Sequence, residues 1–146
     1  MTAQLVVKFL HILVAAAWLG AALWTPGDVR RTVALGKPYL DALPRRTRPA
    51  LSLDLWTGVV TLLTGIALIA LTGGVPRIGV LVGLGAVLIR LAVLLLGMRP
   101  AYRTVEASAA AGDLAAAEAP ARRLSMFAGI GHLLWVIALA GMVFPW

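Results

Sequence analysis

The sequence has no cysteine, which excludes disulfides, iron–sulfur clusters and thiolate metal sites. Histidine is nearly as scarce: His11 and His132 are the only imidazoles, so any metal or cofactor site built on histidine is small. Acidic residues number 6 against 13 lysines and arginines, and charged residues make up only 13% of the chain. There is no paired-carboxylate site, no P-loop and no Gly-x-Gly-x-x-Gly turn after a strand, and no serine lies within a turn of either histidine. Hydrolase and nucleotide chemistry are therefore set aside, and no catalytic residue is assigned.

Apolar residues, by contrast, make up 61% of the 146 positions. An ordinary soluble domain has about 45–50%, so the composition is that of an integral membrane protein of one domain. Four apolar runs, roughly 5–24, 50–73, 78–98 and 124–145, reach the length needed to cross, a helix requiring about 20 residues. The net charge of +7 does not point to nucleic acid, because most basic residues fall in two segments. Arg30, Arg31, Lys37, Arg45, Arg46 and Arg48 follow the first run, and Arg99, Arg103, Arg122 and Arg123 occupy residues 99–123. The short link Gly73-Gly74-Val75-Pro76-Arg77 has one. The positive-inside rule then puts the two longer loops in the cytoplasm and both termini outside, in a bacterial-type inner membrane. Lys8, near the start of the first run, is the only basic residue before Arg30-Arg31, which follow the run, the pattern of a retained span rather than a cleaved signal peptide.

Pro26-Gly27 and Lys37-Pro38 predict turns in the first loop. Residues 105–120, alanine-rich with interspersed acids, read as a short surface helix or connector closed by Pro120. Small residues at helical spacing, Thr57, Thr61 and Gly65, then Gly79 and Gly83, then Ser125 and Gly129, supply close-packing faces. The expected architecture is all-α, an antiparallel four-helix membrane bundle.

Ionisable groups inside spans are rare, each costing about 2.5–3.5 kcal/mol at mid-bilayer on insertion scales, and so mark functional candidates. Five qualify here: Lys8, His11, Asp54, Arg90 and His132. Gln4, Lys8, His11, Ala15 and Trp18 share one helical face, with Lys8 near the outer boundary and His11 deeper. Trp135 shares a face with His132. With span centres near residues 15 and 135 and a rise of about 1.5 Å per residue, the two histidines differ in depth by about 10 Å. That offset favours a single-histidine ligand, His11, over a centre shared by both. Asp54 and Arg90 lie on consecutive spans joined by a short turn, and a buried ion pair is the least costly arrangement for them. Arg90 could otherwise meet an anionic ligand group such as a porphyrin propionate, with Asp54 as its counter-ion.

The chemistry left to two imidazoles inside a bilayer is redox through haem, or copper handling. Copper favours histidine with thioethers, and Met98, Met126 and Met142 fall at no helical spacing that joins them to His11 or His132.

The first span reads Lys-x-Leu-His followed by aliphatics, tryptophan and glycine, then a basic loop, with Arg45-Arg46 shortly before span two. In this order of features the chain resembles the CopD-like membrane proteins, to which the HemJ-type protoporphyrinogen oxidases are similar. The resemblance implies a four-helix membrane fold and, as in HemJ-type members, a haem b whose ligand is the first-span histidine, here His11. Lys8 and Trp18 match the pattern by position. In the region where HemJ-type proteins carry a characteristic lysine this chain offers Lys37, and His132 has no HemJ-type counterpart; it suits a cytochrome-b-like arrangement in which another helix supplies a second ligand. The expectation is a haem-binding redox protein, with His11 as axial ligand, His132 as candidate second ligand, Lys8 or Arg90 near the propionates, and Trp18 and Trp135 beside the cofactor. Its partners would be an electron donor or acceptor, a larger membrane complex, or a second copy of the chain. The alternatives are CopD-like copper transfer and a small accessory subunit of a respiratory or photosynthetic complex.

Overall fold

A computed structural model describes residues 2–73 and 75–144. Gly74 in the short link and Pro145 at the end of the fourth run lie outside them. Among the described residues there are helices and turns and no strand. Helix α1 spans Thr2–Leu35 and α2 spans Leu43–Thr72, with a 3-10 turn at Tyr39–Ala42 between them. Helix α3 (Ile78–Ala92), a π-helical segment (Val93–Met98) and α4 (Arg99–Ala110) follow without a break, and α5 spans Leu114–Val143. Four helical rods, 30 to 34 residues long, are apolar enough to cross a membrane.

The rods are longer than the apolar runs, and the differences lie at the prolines. The turn expected at Pro26-Gly27 is absent: α1 continues through Pro26 to Leu35. The chain turns instead at Gly36, whose φ of +69° suits a residue without a side chain, and at Lys37-Pro38. Pro120 closes nothing and sits inside α5. The break before α5 comes from Gly112 at φ +76° and from Asp113, which caps the helix by accepting from the Ala116 N–H at 2.9 Å. In the π-helical segment the Arg99 N–H reaches back five residues to the Leu94 carbonyl. Pro100 follows at once, with no N–H for the Leu96 carbonyl and a ring that crowds the preceding turn, so the helix widens there.

Contacts between α1 and α2 pair rising numbers with falling ones: His11 meets Thr64, Trp18 meets Asp54, and Asp28 meets Arg46. The α3 rod and α5 do the same, through Gly79 with Gly141, Gly83 with Ala138 and Gly97 with Phe127. Ala22 of α1 meets His132 of α5, and Asp54 of α2 meets Arg90 of α3. Close approach therefore falls on Gly58, Gly65, Gly79, Gly83, Gly97, Gly131 and Gly141, rather than on all the small residues expected. Gly129 faces open space, and Thr57 and Ser125 bond to carbonyls of their own helices. At Gly141 a Cβ would collide with the Gly79 carbonyl oxygen, so only glycine permits this crossing.

The largest apolar cluster does not lie at the centre of the spans. It gathers Val33, Leu43, Tyr102, Val105, Ala117 and Leu124 with their neighbours, at the end of the rods where the basic segments lie. Here the helices extend past the apolar runs and pack on one another much as in a soluble bundle. Along the spans, large apolar side chains such as Phe9, Ile12, Leu63 and Leu133 point outward, the arrangement for which lipid is the solvent.

Candidate functional site

Among the described residues, the interior of the spans holds one fully buried polar cluster. Trp18 Nε1 donates to Asp54 Oδ1 at 2.6 Å, and Arg90 Nη1 donates to the same oxygen at 2.9 Å. The Arg90 guanidinium carbon lies 4.1 Å from the centroid of the Trp18 ring, within cation–π range. Three helices, α1, α2 and α3, thus meet through one carboxylate. Gly58 makes room for the indole: a Cβ there would stand 2.8 Å from Trp18 Cε2 and Cζ2. Gly131 does likewise for Arg90, whose Nε lies 3.7 Å from where a Cβ would be. Arg90 Nε is enclosed and has no partner among the described residues. It borders a crevice lined by Ala22, Leu94, Met98, Ala128, Gly131 and His132 that is too narrow to admit a water molecule.

His132 owes its partner to Pro26. In an α-helix the carbonyl of residue 22 accepts from the N–H of residue 26, and proline has none. The Ala22 carbonyl is left open in the middle of an apolar helix, and His132 Nε2 lies 3.3 Å from it. A carbonyl only accepts, so Nε2 carries the proton and Nδ1 the lone pair.

His11 is held in a second place. It is 8% exposed, and its Nδ1 lies 2.9 Å from Thr64 Oγ1. The Thr64 hydroxyl proton is already committed to its own helix, at 2.7 Å from the Val60 carbonyl and 3.1 Å from that of Thr61. Oγ1 must then accept from the ring, which puts the proton on Nδ1 and leaves Nε2 with its lone pair. Gly65 makes room for the ring against α2, a Cβ there standing 3.3 Å from His11 Cε1. The Thr61 backbone carbonyl is a further hydrogen-bond acceptor for the ring, and Nδ1 is the ring nitrogen with a side-chain partner among the described residues.

The residues singled out from the sequence therefore divide between two locations. His11 and His132 are not brought together: Ala22, which His132 touches, lies eleven residues along α1 from His11, a rise of about 16 Å. Two nitrogens on one metal, with bonds of about 2.1 Å, lie within about 4 Å of each other. The sequence-based offset of about 10 Å is too small because the α1–α5 register sets His132 level with Ala22, further along α1 than span centres near residues 15 and 135 imply. Arg90 is engaged with Asp54 and Trp18 inside the bundle, seven residues along α1 from His11, and Trp18 is buried between Arg90 and Gly58 with no face left for a cofactor. Trp135 is half-buried against the apolar cluster around Trp18, and Lys8 is exposed one turn nearer the N-terminus than His11. No group of three or more His, Cys, Asp or Glu side chains that could hold a metal occurs among the described residues.

Sequence reasoning missed Thr64, Gly58 and the Trp18–Asp54 bond. The Pro26-to-Ala22 spacing was a readable signal, since a proline within a helix always opens the carbonyl four residues back; the positions of Thr64 and Gly58 opposite α1 required the register between helices. No family model matches the chain, and neither a curated protein nor a solved structure matches it.

Proposed function

We propose that the chain is a haem b-binding membrane redox protein in which His11 alone would hold the haem iron, through Nε2. The supporting observation is the Thr64 acceptor at Nδ1. Ligating histidines donate their second ring N–H to a fixed acceptor, which sets the tautomer and the ring orientation and leaves the other nitrogen for the metal. Both histidines have such an acceptor, Thr64 for His11 and the Ala22 carbonyl for His132, but the crevice beside His132 is too narrow for a water molecule and also holds the Arg90 cation, which favours His11 as the ligand. Lys8, exposed one turn outward, is available to a propionate. Bound haem supplies one-electron redox chemistry; the chain's own residues fix the imidazole and exclude water around the bundle core. Both termini face outward in this reading, with the basic ends of the rods in the cytoplasm.

Reduced-minus-oxidised absorption spectra of the protein, purified in detergent after haem-supplemented expression, test the proposal. Soret and α bands are expected, lost in His11→Ala and retained in His132→Ala. Thr64→Val keeps the haem but shifts its midpoint potential, because the ring loses its acceptor. Absence of bands in the wild-type protein, or bands unchanged by His11→Ala, would remove this reading.

One observation favours the accessory-subunit alternative: His132 and the Trp18–Asp54–Arg90 cluster all serve contacts between helices. That reading predicts co-purification with a larger membrane complex and no chromophore. CopD-like copper transfer gains no comparable support, since the crevice that Met98 shares with His132 also holds the Arg90 cation.

A further inference from the structure

We infer that the chain carries a collar of arginines that binds anionic phospholipid headgroups of one leaflet. The acidic residues at the basic end are largely committed. Asp28 pairs with Arg46 at 3.1 Å, Glu106 with Arg48 at 2.8 Å and Glu118 with Arg122 at 3.0 Å, while Asp113 caps α5. Arg30, Arg31, Arg45, Arg99, Arg103 and Arg123 are left without an acidic partner among the described residues.

Contact register places these six near one level. The Asp28–Arg46 bond sets Arg30 and Arg31 of α1 beside Arg45 of α2. Nine residues on from the Ala22–His132 contact, Arg31 of α1 comes level with Arg123 of α5. The contact of Phe127 with Gly97 brings Arg123 level with Arg99, and Arg103 lies one turn further along α4. All four rods contribute, so the charge encircles the bundle. A folded protein or a nucleic-acid strand would meet one side of such a ring, whereas headgroups surround it. On the membrane side the ring is followed at once by exposed apolar side chains, Trp24 at 76%, Leu96 at 80% and Met126 at 56%. A phosphate at the ring thus has its acyl chains beside apolar surface, the geometry expected for headgroup recognition at a membrane boundary. Opposite-sign pairs would suffice to keep the ends out of the bilayer; the unpaired excess at one level leaves guanidinium donors free for an anion. The inference depends on the membrane spans and not on haem.

Relative lipid binding can be read on the full chain in nanodiscs, from quenching of tryptophan fluorescence by brominated phosphatidylglycerol against brominated phosphatidylcholine. Trp24 reports on the collar. The anionic lipid is expected to be preferred, with the preference shrinking as salt rises. Changing the collar arginines to glutamine lowers it by on the order of fivefold for each residue that engages a headgroup. Arg46→Gln, Arg48→Gln and Arg122→Gln, which alter paired arginines, change it far less. Equal quenching by both lipids in the wild-type chain overturns the inference, and this measurement stands even where a collar variant does not fold. So does displacement of the anionic lipid by inorganic phosphate or RNA more strongly than by chloride at equal ionic strength, which would assign the ring to a soluble ligand.

Discussion

Asp54 accepts both buried donors at a single oxygen, so each of the three side chains in its cluster depends on the other two. Removing one partner of a buried ion pair strands a charge, at about 3–5 kcal/mol, whereas replacing both partners by apolar groups is often nearly neutral. Asp54→Ala is therefore expected to destabilise the protein by about 3–5 kcal/mol in a detergent unfolding titration, and Asp54→Leu combined with Arg90→Met by much less. Trp18→Phe keeps a ring under the guanidinium and loses one hydrogen bond to a charged acceptor, about 1.5–3 kcal/mol. A double variant as unstable as Asp54→Ala would mean that the cluster has a net stabilising role that apolar packing cannot replace. The meeting of Asp54 and Arg90 was readable from the sequence, because opposite charges on consecutive spans have no cheaper arrangement. The part of Trp18 was not. Its spacing from His11 suggested a cofactor wall, and only the α1–α2 register, with Gly58 opposite the ring, turns it into a donor to Asp54.

At the scale of the helices, Pro26 and His132 form a unit. Proline opens a carbonyl in α1, and the imidazole on α5 closes it. Pro26→Ala would restore an N–H able to bond Ala22 within the helix, leaving His132 without a structural task. His132→Ala is expected to cost about 1 kcal/mol in the wild-type chain and close to nothing beside Pro26→Ala, a coupling a double-mutant cycle measures directly. Strictly additive energies would show that the histidine does not close that carbonyl. The same pair shows why element boundaries were hard to read. Hydropathy reports where lipid begins, but a helix ends where its hydrogen bonding and packing end. Val29, Val33, Val105, Ala117 and Ala121 carry the helices beyond the apolar runs because they pack on one another there, a pattern that reads as loop when only long apolar runs are counted. Turn chemistry at Pro26-Gly27 gave way to this packing, whereas Gly36 and Gly112, which adopt positive φ, do end helices.

For the molecule as a whole, the excess helix length is all at one end. Rods of 30 to 34 residues measure about 45–51 Å at 1.5 Å per residue, against a hydrocarbon core of about 30 Å. The surplus falls where the large apolar cluster and the arginine collar lie, so a bilayer of that thickness around the apolar runs would leave an extramembrane head on one side and the short link around Val75, 95% exposed, on the other. The charge asymmetry predicts that the head is cytoplasmic. A chain with no cysteine of its own allows a direct test, since a single introduced thiol is the only one that can react. Ala111, exposed in the turn between α4 and α5, and Val75 are positions where a small change disturbs no packing. In intact cells a membrane-impermeant maleimide is expected to label Val75→Cys and not Ala111→Cys, and in inverted vesicles the reverse. Labelling of Ala111→Cys from outside would turn the molecule over. It would place the collar in the outer leaflet and His11 toward the cytoplasm, with the redox proposal then requiring its electron partner on the other side.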